Sequence, residues 1–224
     1  SADGNLIDYF NSIARDDDSL GFTLGAVAKA GGIEAFKTVA GRVTKGKITY
    51  NYPSWQTAES EAGELRGVID GVTYDLEKWD KSRGESADVA EASRQMERVA
   101  GENGFYYVAG LSRQLSKKAE NVTAAAKYAD IYNIHDHSYF KTRNWAGYVK
   151  FIHDQAALAK AGNPNVAIEI LVSTNQSGYT ASEILNQVII PSLDVADRVT
   201  IYTFGGGRGA MEMMKELVAM MRPE

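Results

Sequence analysis

Short apolar runs alternate along this chain with longer segments of helical period, and this alternation restricts the fold more than any other feature. The runs are rich in β-branched and aromatic residues and lie at 21–30, 47–52, 68–75, 104–111, 129–135, 166–173 and 199–204. Strands that are apolar at nearly every position are buried on both faces, which is typical of parallel sheets covered by helices. The pattern therefore predicts an α/β fold built from strand–helix units.

The segments between the runs carry apolar stripes at helical spacing, which indicates helices that bury one side against the sheet. The three clearest stripes are Val89, Ala92, Met96 and Val99; Trp145, Val149, Ile152 and Ala156; and Met211, Met214, Leu217, Val218 and Met221. Gly162 follows the second stripe at a position typical of a helix C-terminus. We therefore predict three amphipathic helices.

The number of strands decides between an open doubly wound sheet and a closed barrel. Seven runs are clear, and an eighth candidate at 36–43 is weaker, because Gly46 follows too closely for a crossover helix before the next run. A count of seven or eight favours a (β/α)8 barrel of the TIM type, with one strand irregular or missing. The 224 residues include no recognisable linker, so residues 1–224 are predicted to form a single domain.

Composition excludes several classes of function. The 24 Lys and Arg residues against 29 Asp and Glu give a net charge of -5, which provides no basic surface for a nucleic acid partner. The absence of Cys excludes thiol catalysis, disulfides and Cys-ligated zinc. No uncharged apolar run approaches the roughly 20 residues that a membrane-spanning helix needs, so no membrane span is predicted. The oligomeric state does not follow from composition.

Two carboxylates, Asp75 and Glu77, lie at the end of the third run. Side chains alternate between the two faces of a strand, so Thr73, Asp75 and Glu77 are predicted to share one face. Catalytic groups collect at the carboxyl ends of barrel strands, and a crowded pair of carboxylates tends to keep one proton that it can donate. The pattern is therefore consistent with an acid–base pair. Taken alone, it favours the alternative, a structural ion pair with Lys78 or Arg83.

The segment Asp70-Gly-Val-Thr-Tyr-Asp-Leu-Glu77 closely resembles the D-G-x-D-x-D-x-E signature of family 18 glycoside hydrolases, the chitinase family. The matching positions are Asp70, Gly71, Asp75 and Glu77. Thr73 stands where the family has its middle Asp. Counting strands back from the C-terminus places this segment on the fourth barrel strand, which is its place in that family.

A second segment, Tyr132-Asn-Ile-His-Asp-His-Ser138, is similar to the family's I-N-x-M-x-Y-D segment on the sixth strand. In this segment His135 stands for the Met, His137 for the Tyr and Ser138 for the Asp. The resemblance therefore consists of two short motifs and the strand order.

The resemblance implies a role for each carboxylate of the pair. Glu77 would be the general acid that protonates the leaving glycosidic oxygen. Asp75 would hold the acetamido group of the substrate, which serves as the nucleophile in this family. The implied ligand is an N-acetylated polysaccharide or related glycan, bound outside the cell or at the cell surface, with no cofactor.

His135 and His137 are two residues apart at the end of the fifth run, so they are predicted to share one face of that strand at the barrel mouth. We predict that they hydrogen-bond substrate hydroxyls or the acidic pair, or that they are satisfied polar groups in a crowded site. A weaker alternative is a metal site with Glu77, Asp75 or Glu169 as further ligands. Metallohydrolase barrels use more imidazoles than the three of this chain, so no metal is predicted.

Aromatic and neutral polar residues follow several predicted strands. Flat rings suit pyranose faces, and neutral polar groups orient hydroxyls without the cost of burying a charge. For each ring taken singly, ordinary loop packing is the alternative. These residues are Tyr50, Tyr52, Trp55, Trp79, Tyr139 and Phe140, with Ser173, Asn175, Gln176 and Tyr202. The predicted substrate-binding residues are His135, His137, Trp79, Tyr202, Asn175 and Tyr52.

Three functions remain open from the sequence. The leading hypothesis is a glycoside-hydrolase-like barrel that acts on N-acetylated polysaccharide with Glu77 and Asp75. The second is a catalytically silent barrel that binds carbohydrate or another cell-surface ligand, which the replacement by Thr73 favours. The third is a metal-assisted hydrolase that uses His135 and His137.

Overall fold

The computed structural model describes residues 2–23, 31–77, 84–175, 178–203 and 208–222. The described strands are β1 (Ser19–Phe22), β2 (Lys47–Tyr52), β3 (Gly71–Leu76), β4 (Tyr106–Leu111), β5 (Ile131–Ile134), β6 (Ala167–Ser173) and β7 (Arg198–Tyr202). The described helices are α1 (Ala2–Ile13), α2 (Ile33–Ala40), α3 (Trp55–Glu61), α4 (Val89–Asn103), α5 (Arg113–Ser116), α6 (Ala119–Tyr128), α7 (His137–Thr142), α8 (Trp145–Gly162), α9 (Ala181–Ile184) and α10 (Arg208–Met221). Short 3-10 turns lie at Ala62–Leu65, Glu85–Ala87 and Ile190–Ser192, and a π turn lies at Leu185–Ile189.

The chain clusters into two compact units. The first contains residues 1–110 and 128–130, and the second contains residues 111–127 and 131–224. In the first unit the strand order is β1-β2-β3-β4, and in the second unit it is β5-β6-β7. The pairs β1–β2, β2–β3, β5–β6 and β6–β7 are all parallel. Parallel strands in chain order, alternating with helices, confirm the predicted α/β topology. That residues 1–224 form one domain stays a prediction.

The central strand of the first unit, β3, buries alternate residues. Val72, Tyr74 and Leu76 are at most 1% exposed, whereas Thr73 and Asp75 between them are half-buried. Helix α4 packs on β3 and buries the stripe that the sequence predicts, which includes Met96 at 0% exposure. The apolar face of β3 is therefore the helix-covered core, and Thr73 and Asp75 lie on the opposite face.

The eighth strand candidate, at 36–43, is wrong, because residues 33–40 form helix α2. Phe36 and Ala40 are buried one helical turn apart, and Lys37 pairs with Glu34 at a distance of 2.5 Å between Nζ and Oε1. The apolar residues of this segment recur at helical spacing rather than at the strand period of two. The prediction for residues 21–30 is confirmed only where β1 ends at Phe22, since residues 24–30 lie outside the described part.

Helix α8 confirms the second predicted helix but with a rotated buried stripe. Tyr148, Ile152, Ala156 and Ala159 are buried, whereas Trp145 is half-buried. Gly162 is the last helical residue, and a Cβ built on it would lie 2.4 Å from the backbone oxygen of Thr123. This glycine therefore permits close packing between α8 and α6, rather than a left-handed helix end.

The third predicted helix is also confirmed as α10, which buries Met214 and Leu217. None of the helices that the structure describes combines the length and apolar character of a membrane span.

Three strands are preceded by an aspartate that bonds twice to the neighbouring strand. Asp70 donates its N–H to the Ile48 carbonyl at 2.8 Å, and its carboxylate accepts the Ile48 N–H at 2.8 Å. Asp130 makes the same two bonds to Tyr107, at 3.0 and 2.8 Å. Asp197 makes them to Ile168, at 2.8 Å each. An aspartate in this position fixes the register where a parallel pair begins.

Candidate functional site

In the first unit, the predicted acid pair lies at the carboxyl end of β3. A carboxylate oxygen of Asp75 and one of Glu77 lie within 4.8 Å of each other, and both side chains are half-buried. The strand ends at Leu76, and the Glu77 N–H donates to the Asp75 carbonyl at 2.9 Å, which closes a tight turn. The turn, rather than the strand pleat, therefore sets the direction in which Glu77 leaves the sheet.

The face of the sheet that carries Asp75 also carries a polar residue that the sequence reading missed. Asn51 of β2 pairs in register with Thr73 of β3, so both side chains lie on the face away from the helices. Asn51 is half-buried, as are Thr73 and Asp75. Residues 50–52 read Tyr-Asn-Tyr, and this alternation is the sequence signal that Asn51 faces away from the two tyrosines.

The first two residues of the family 18 signature have structural roles in this chain. Asp70 is one of the three aspartates that bond to a neighbouring strand. A Cβ built on Gly71 would lie 2.5 Å from two ring carbons of Tyr106, so only glycine admits this ring position. The matches at Asp70 and Gly71 therefore follow from packing and strand pairing, and only Asp75 and Glu77 are left for chemistry.

The position of the segment also differs from the expectation. It lies on the third of the seven described strands rather than on the fourth, because the segment at 36–43 is a helix and adds no strand before it. The segment at 132–138 correspondingly follows the fifth described strand rather than the sixth.

Tyr52 is part of the core of the first unit. It is 0% exposed, and its ring centroid lies 4.6 Å from that of Tyr50, which in turn packs against Phe36 of α2. Tyr52 also pairs in register with Tyr74, on the helix-covered face of the sheet. Its burial corrects the sequence-based view of Tyr52 as a substrate contact. Trp79, Lys78 and Arg83 lie outside the described residues.

A buried carboxylate that the sequence reading missed lies behind the acid pair, on the helix-covered side. Glu85 is 7% exposed and accepts a hydrogen bond from the Tyr74 hydroxyl. Burial raises the pKa of Glu85 above its ordinary value, and the hydrogen bond from Tyr74 offsets only part of that shift. Burial is also the main cause that raises the pKa of Tyr74. The sequence gives one signal for such a partner, which is Tyr74 itself, because a tyrosine on an apolar strand face needs a hydrogen-bond partner for its hydroxyl.

In the second unit, His135 belongs to a chain of buried polar side chains. Its Nδ1 lies 3.0 Å from the Asn133 Oδ1, and the Asn133 Nδ2 donates to the Glu169 Oε1 at 2.6 Å. The Glu169 Oε2 lies 3.9 Å from the Arg198 Nε. His135, Asn133 and Glu169 are each at most 8% exposed. The sequence reading used Glu169 only as a possible metal ligand and missed Asn133 and Arg198.

The two histidines are not on one strand. Strand β5 ends at Ile134, so His135 directly follows it and His137 is the first residue of α7. Their ring centroids are 6.1 Å apart, and that of His137 lies 5.2 Å from that of Tyr202 at the end of β7. The structure therefore groups three of the predicted substrate-binding residues, although by a strand-to-helix turn and not by strand alternation.

Asn175 lies beside Tyr202, at the carboxyl end of β6. Its Nδ2 donates to the Tyr202 carbonyl at 3.4 Å, and its N–H donates to the Ser173 Oγ at 3.3 Å. Within the described part of the chain, the buried Asn175 Oδ1 and Thr174 Oγ1 have no hydrogen-bond partner. Unsatisfied polar atoms of this kind are uncommon in proteins and are consistent with a polar ligand at this strand end.

The carboxylate of the 132–138 segment is Asp136, which lies two residues before the position matched by Ser138. Asp136 is 5% exposed, its Oδ1 accepts the Ser138 N–H at 2.9 Å, and its Oδ2 lies 3.0 Å from the Arg113 Nε. Arg113 also donates to the Ser138 Oγ at 2.5 Å. Asp136 therefore caps α7 and holds Arg113, so its contacts are structural.

No family model matches the chain, and no curated protein matches it either. Among solved structures it resembles a GH18 chitinase from Pseudoalteromonas aurantia, with a TM-score of 0.54 and 14% identity, over 88% of this chain and 82% of that chain. The fold belongs to the (β/α) barrel class. This confirms the predicted fold class, and an identity this low shows the fold alone.

Two further solved structures show weaker similarity. One is the family 51 alpha-L-arabinofuranosidase AbfB from Bifidobacterium longum, with a TM-score of 0.48 and 14% identity, over 76% of this chain and 49% of that chain. The other is a candidate deoxyribose-phosphate aldolase from Toxoplasma gondii ME49, with a TM-score of 0.49 and 12% identity, over 96% of both chains. A shared fold does not by itself carry a function, so the function of this chain must be argued from its own residues.

Proposed function

We propose that this chain is a glycoside-hydrolase-like barrel that cleaves N-acetylated polysaccharide with Glu77 as general acid. One observation carries the proposal: the carboxylate oxygens of Asp75 and Glu77 lie within 4.8 Å of each other at the carboxyl end of β3. Catalytic residues of (β/α) barrels lie at this end of the strands. A substrate of this kind implies a protein that works outside the cell or at its surface.

The chemistry needs one proton donor and one group that orients the substrate. Glu77 donates its proton to the glycosidic oxygen as the bond from that oxygen to the anomeric carbon breaks. The acetamido oxygen of the substrate then bonds to the anomeric carbon, with Asp75 accepting a hydrogen bond from the acetamido N–H. This bond closes a ring between the acetamido group and the anomeric carbon. Water then adds to the anomeric carbon, which reopens the ring, and one of the water protons returns to Glu77.

The second candidate is a barrel that binds glycan without cleaving it, and Thr73 favours it. Thr73 lies on the same face as Asp75 and stands where the resembling family has a third carboxylate. The roles of Asp70 and Gly71 in strand pairing and packing also explain two of the four matching positions of the signature without catalysis.

Release of reducing ends from a panel of N-acetylated polysaccharides separates the two candidates. Glu77→Gln keeps the shape of the side chain and removes its proton, so an enzyme loses turnover by about 10²–10⁴-fold while ligand affinity changes less than about tenfold. Glu97→Gln, on the exposed side of α4, is the matched control and should leave turnover unchanged.

A binder shows no turnover in any form and loses affinity when Tyr202 or Trp79 is replaced by Ala. Full turnover in the Glu77→Gln variant would reject the acid role. A chain that neither binds nor cleaves any glycan would reject both candidates. The next experiment would then compare metal binding by the parent chain with metal binding by the His135→Ala variant.

A further inference from the structure

We infer that Glu169, acting through Asn133, holds His135 with its proton on Nδ1, so that Nε2 is the ring nitrogen that meets a bound ligand. Asn133 and Glu169 are positioning residues in this arrangement. The ligand class, a hydroxyl-bearing molecule that donates to Nε2, rests on the proposed function, whereas the position of the proton rests on the second unit alone.

Strand register brings the three polar side chains into one row. Asn133 of β5 pairs with Glu169 of β6, and Glu169 pairs with Arg198 of β7. The row lies on the face opposite Ile168 and Ile170, which are 0% exposed. Neighbouring residues in parallel register project to the same side of a sheet, so the contacts within the row are set by the backbone.

The chemistry of Glu169 sets the orientation of the Asn133 amide. An ionised carboxylate only accepts hydrogen bonds, and the Asn133 nitrogen lies 2.6 Å from the Glu169 Oε1. The reversed amide would place two acceptor oxygens at that short distance in a buried site. The Asn133 NH₂ group must therefore face Glu169, and its Oδ1 must face the other way.

The amide orientation in turn sets the tautomer of His135. The Asn133 Oδ1 lies 3.0 Å from the His135 Nδ1, and an amide oxygen has no proton to give. The Nδ1 must therefore be the donor. A neutral imidazole that carries its proton on Nδ1 has its lone pair on Nε2, as in sites where a partner behind the ring fixes the atom that reacts or binds.

Arg198 supplies the positive charge that a buried carboxylate requires. Its Nε lies 3.9 Å from the Glu169 Oε2, and Glu169 is only 8% exposed. The row therefore depends on Arg198 as well as on Asn133, and each member has one defined role.

The position of His135 indicates what Nε2 would meet. The rings of His137 and Tyr202 lie nearby in the same unit, and Asn175 and Thr174 add neutral polar groups at the end of β6. Neutral polar groups and rings suit a polyhydroxylated ligand. A hydroxyl of such a ligand would donate a hydrogen bond to Nε2, which the polar row holds as an acceptor.

The test is nitrogen NMR of the chain with ¹⁵N-labelled histidine, at a pH where the imidazoles are neutral. The three histidines are assigned by replacing His137 and His153 in turn. For the unmodified chain we expect a protonated, pyrrole-type signal from the His135 Nδ1 and a pyridine-type signal from Nε2. The opposite pattern overturns the inference, and this measurement needs no variant of the polar row.

Two variants then test the positioning role. In Glu169→Gln the side-chain amide is able to donate to the Asn133 Oδ1, so the Asn133 amide is free to turn and the two His135 signals should move toward intermediate values. Glu120→Gln makes the same change on the exposed face of α6 and should leave both signals in place. Unchanged His135 signals in a folded Glu169→Gln chain would overturn the role of Glu169.

Adding an N-acetylglucosamine oligosaccharide tests the ligand class. We expect the Nε2 signal of His135 to move while the Nδ1 signal stays, and Glu169→Gln to weaken binding by about tenfold, the cost of one well-placed hydrogen bond. A response of Nε2 to Zn²⁺ alone, or no response to the sugar, would overturn the hydroxyl assignment. A chain that binds sugar at His135 but does not cleave it would reject only the proposed catalysis.

Discussion

The two ends of the strands use acidic side chains in different ways. At the amino ends, Asp70, Asp130 and Asp197 each close a two-bond link to the neighbouring strand, with the same geometry three times. At the carboxyl end of β3, a carboxylate oxygen of Asp75 and one of Glu77 lie within 4.8 Å of each other. The links at the amino ends recur along the fold and are explained by strand pairing, whereas the acid pair lies at the strand end where catalytic groups of barrels collect.

The comparison divides the chitinase-like segment into two halves. Its first half, Asp70 and Gly71, belongs to the amino end, where pairing and packing require these residue types. Its second half, Asp75 and Glu77, belongs to the carboxyl end, where the barrel class places chemistry. A match to the whole segment therefore supports a catalytic function only through its second half.

The largest effect on stability is expected at Gly71. In Gly71→Ala the new Cβ would lie 2.5 Å from the Tyr106 ring, so either the ring or the strand must shift, at a cost of about 1–3 kcal/mol in unfolding free energy. Gly101→Ala in α4 is the matched control. Its Cβ would meet nothing within 4 Å, and a helical Gly→Ala change is expected to stabilise by up to about 1 kcal/mol.

Urea unfolding of the two variants checks this prediction. The cost of Gly71→Ala should largely disappear when it is combined with Tyr106→Ala, because the clashing ring is then absent. A Gly71→Ala chain as stable as the parent would remove the packing explanation and return Gly71 to the functional motif.

The strand–helix order and the helix stripes were predictable because they depend on short-range patterns. Strand β2 has the predicted bounds, and α4 buries the predicted Val89, Ala92, Met96 and Val99. The segment at 36–43 was misread although Phe36, Val39, Ala40 and Val43 recur at helical spacing. Its β-branched residues favoured a strand, and the apolar period, which decides burial, favoured the helix.

The candidate site was less predictable, because side-chain partners come from distant parts of the chain. Asn133 and Glu169 are 36 residues apart and meet only through the register of β5 with β6. Glu85 is buried by its contact with Tyr74, which the local sequence around Glu85 does not indicate. Residue types were therefore a guide to which strand ends carry polar groups, but not to which groups bond to each other.

A smaller loss of stability is expected at the strand-initiating aspartates. Asp70→Ala leaves the Ile48 N–H without its acceptor and should cost about 1–2 kcal/mol, as should Asp130→Ala and Asp197→Ala. Asp70→Asn retains an acceptor oxygen and should lose less. Chemical denaturation of the three Ala variants compares them directly. A negligible loss for Asp70→Ala together with abolished glycan cleavage would place Asp70 with the carboxyl-end residues instead.

The smallest effect is a change in the pH dependence of stability at Glu85, the buried carboxylate on the helix-covered side of β3. Burial raises the folded-state pKa of Glu85. Below the ordinary pKa both folded and unfolded chains carry this proton, so the stability that it provides is fully present.

As the pH rises through the window between the ordinary and the raised pKa, the unfolded chain loses the proton first, so stability is lost across this window and stays constant above it.

Glu85→Gln cannot titrate and still offers an oxygen to the Tyr74 hydroxyl. The unfolding free energy of Glu85→Gln relative to the parent should therefore increase from pH 4 toward pH 7, measured by urea denaturation at a series of pH values. The side chain of Glu97 is exposed, so the unfolding free energy of the Glu97→Gln control relative to the parent should not show this increase. If the difference between parent and Glu85→Gln falls with rising pH instead, Glu85 is stabilised as a carboxylate, and its burial is that of an ion pair comparable to Glu169 with Arg198.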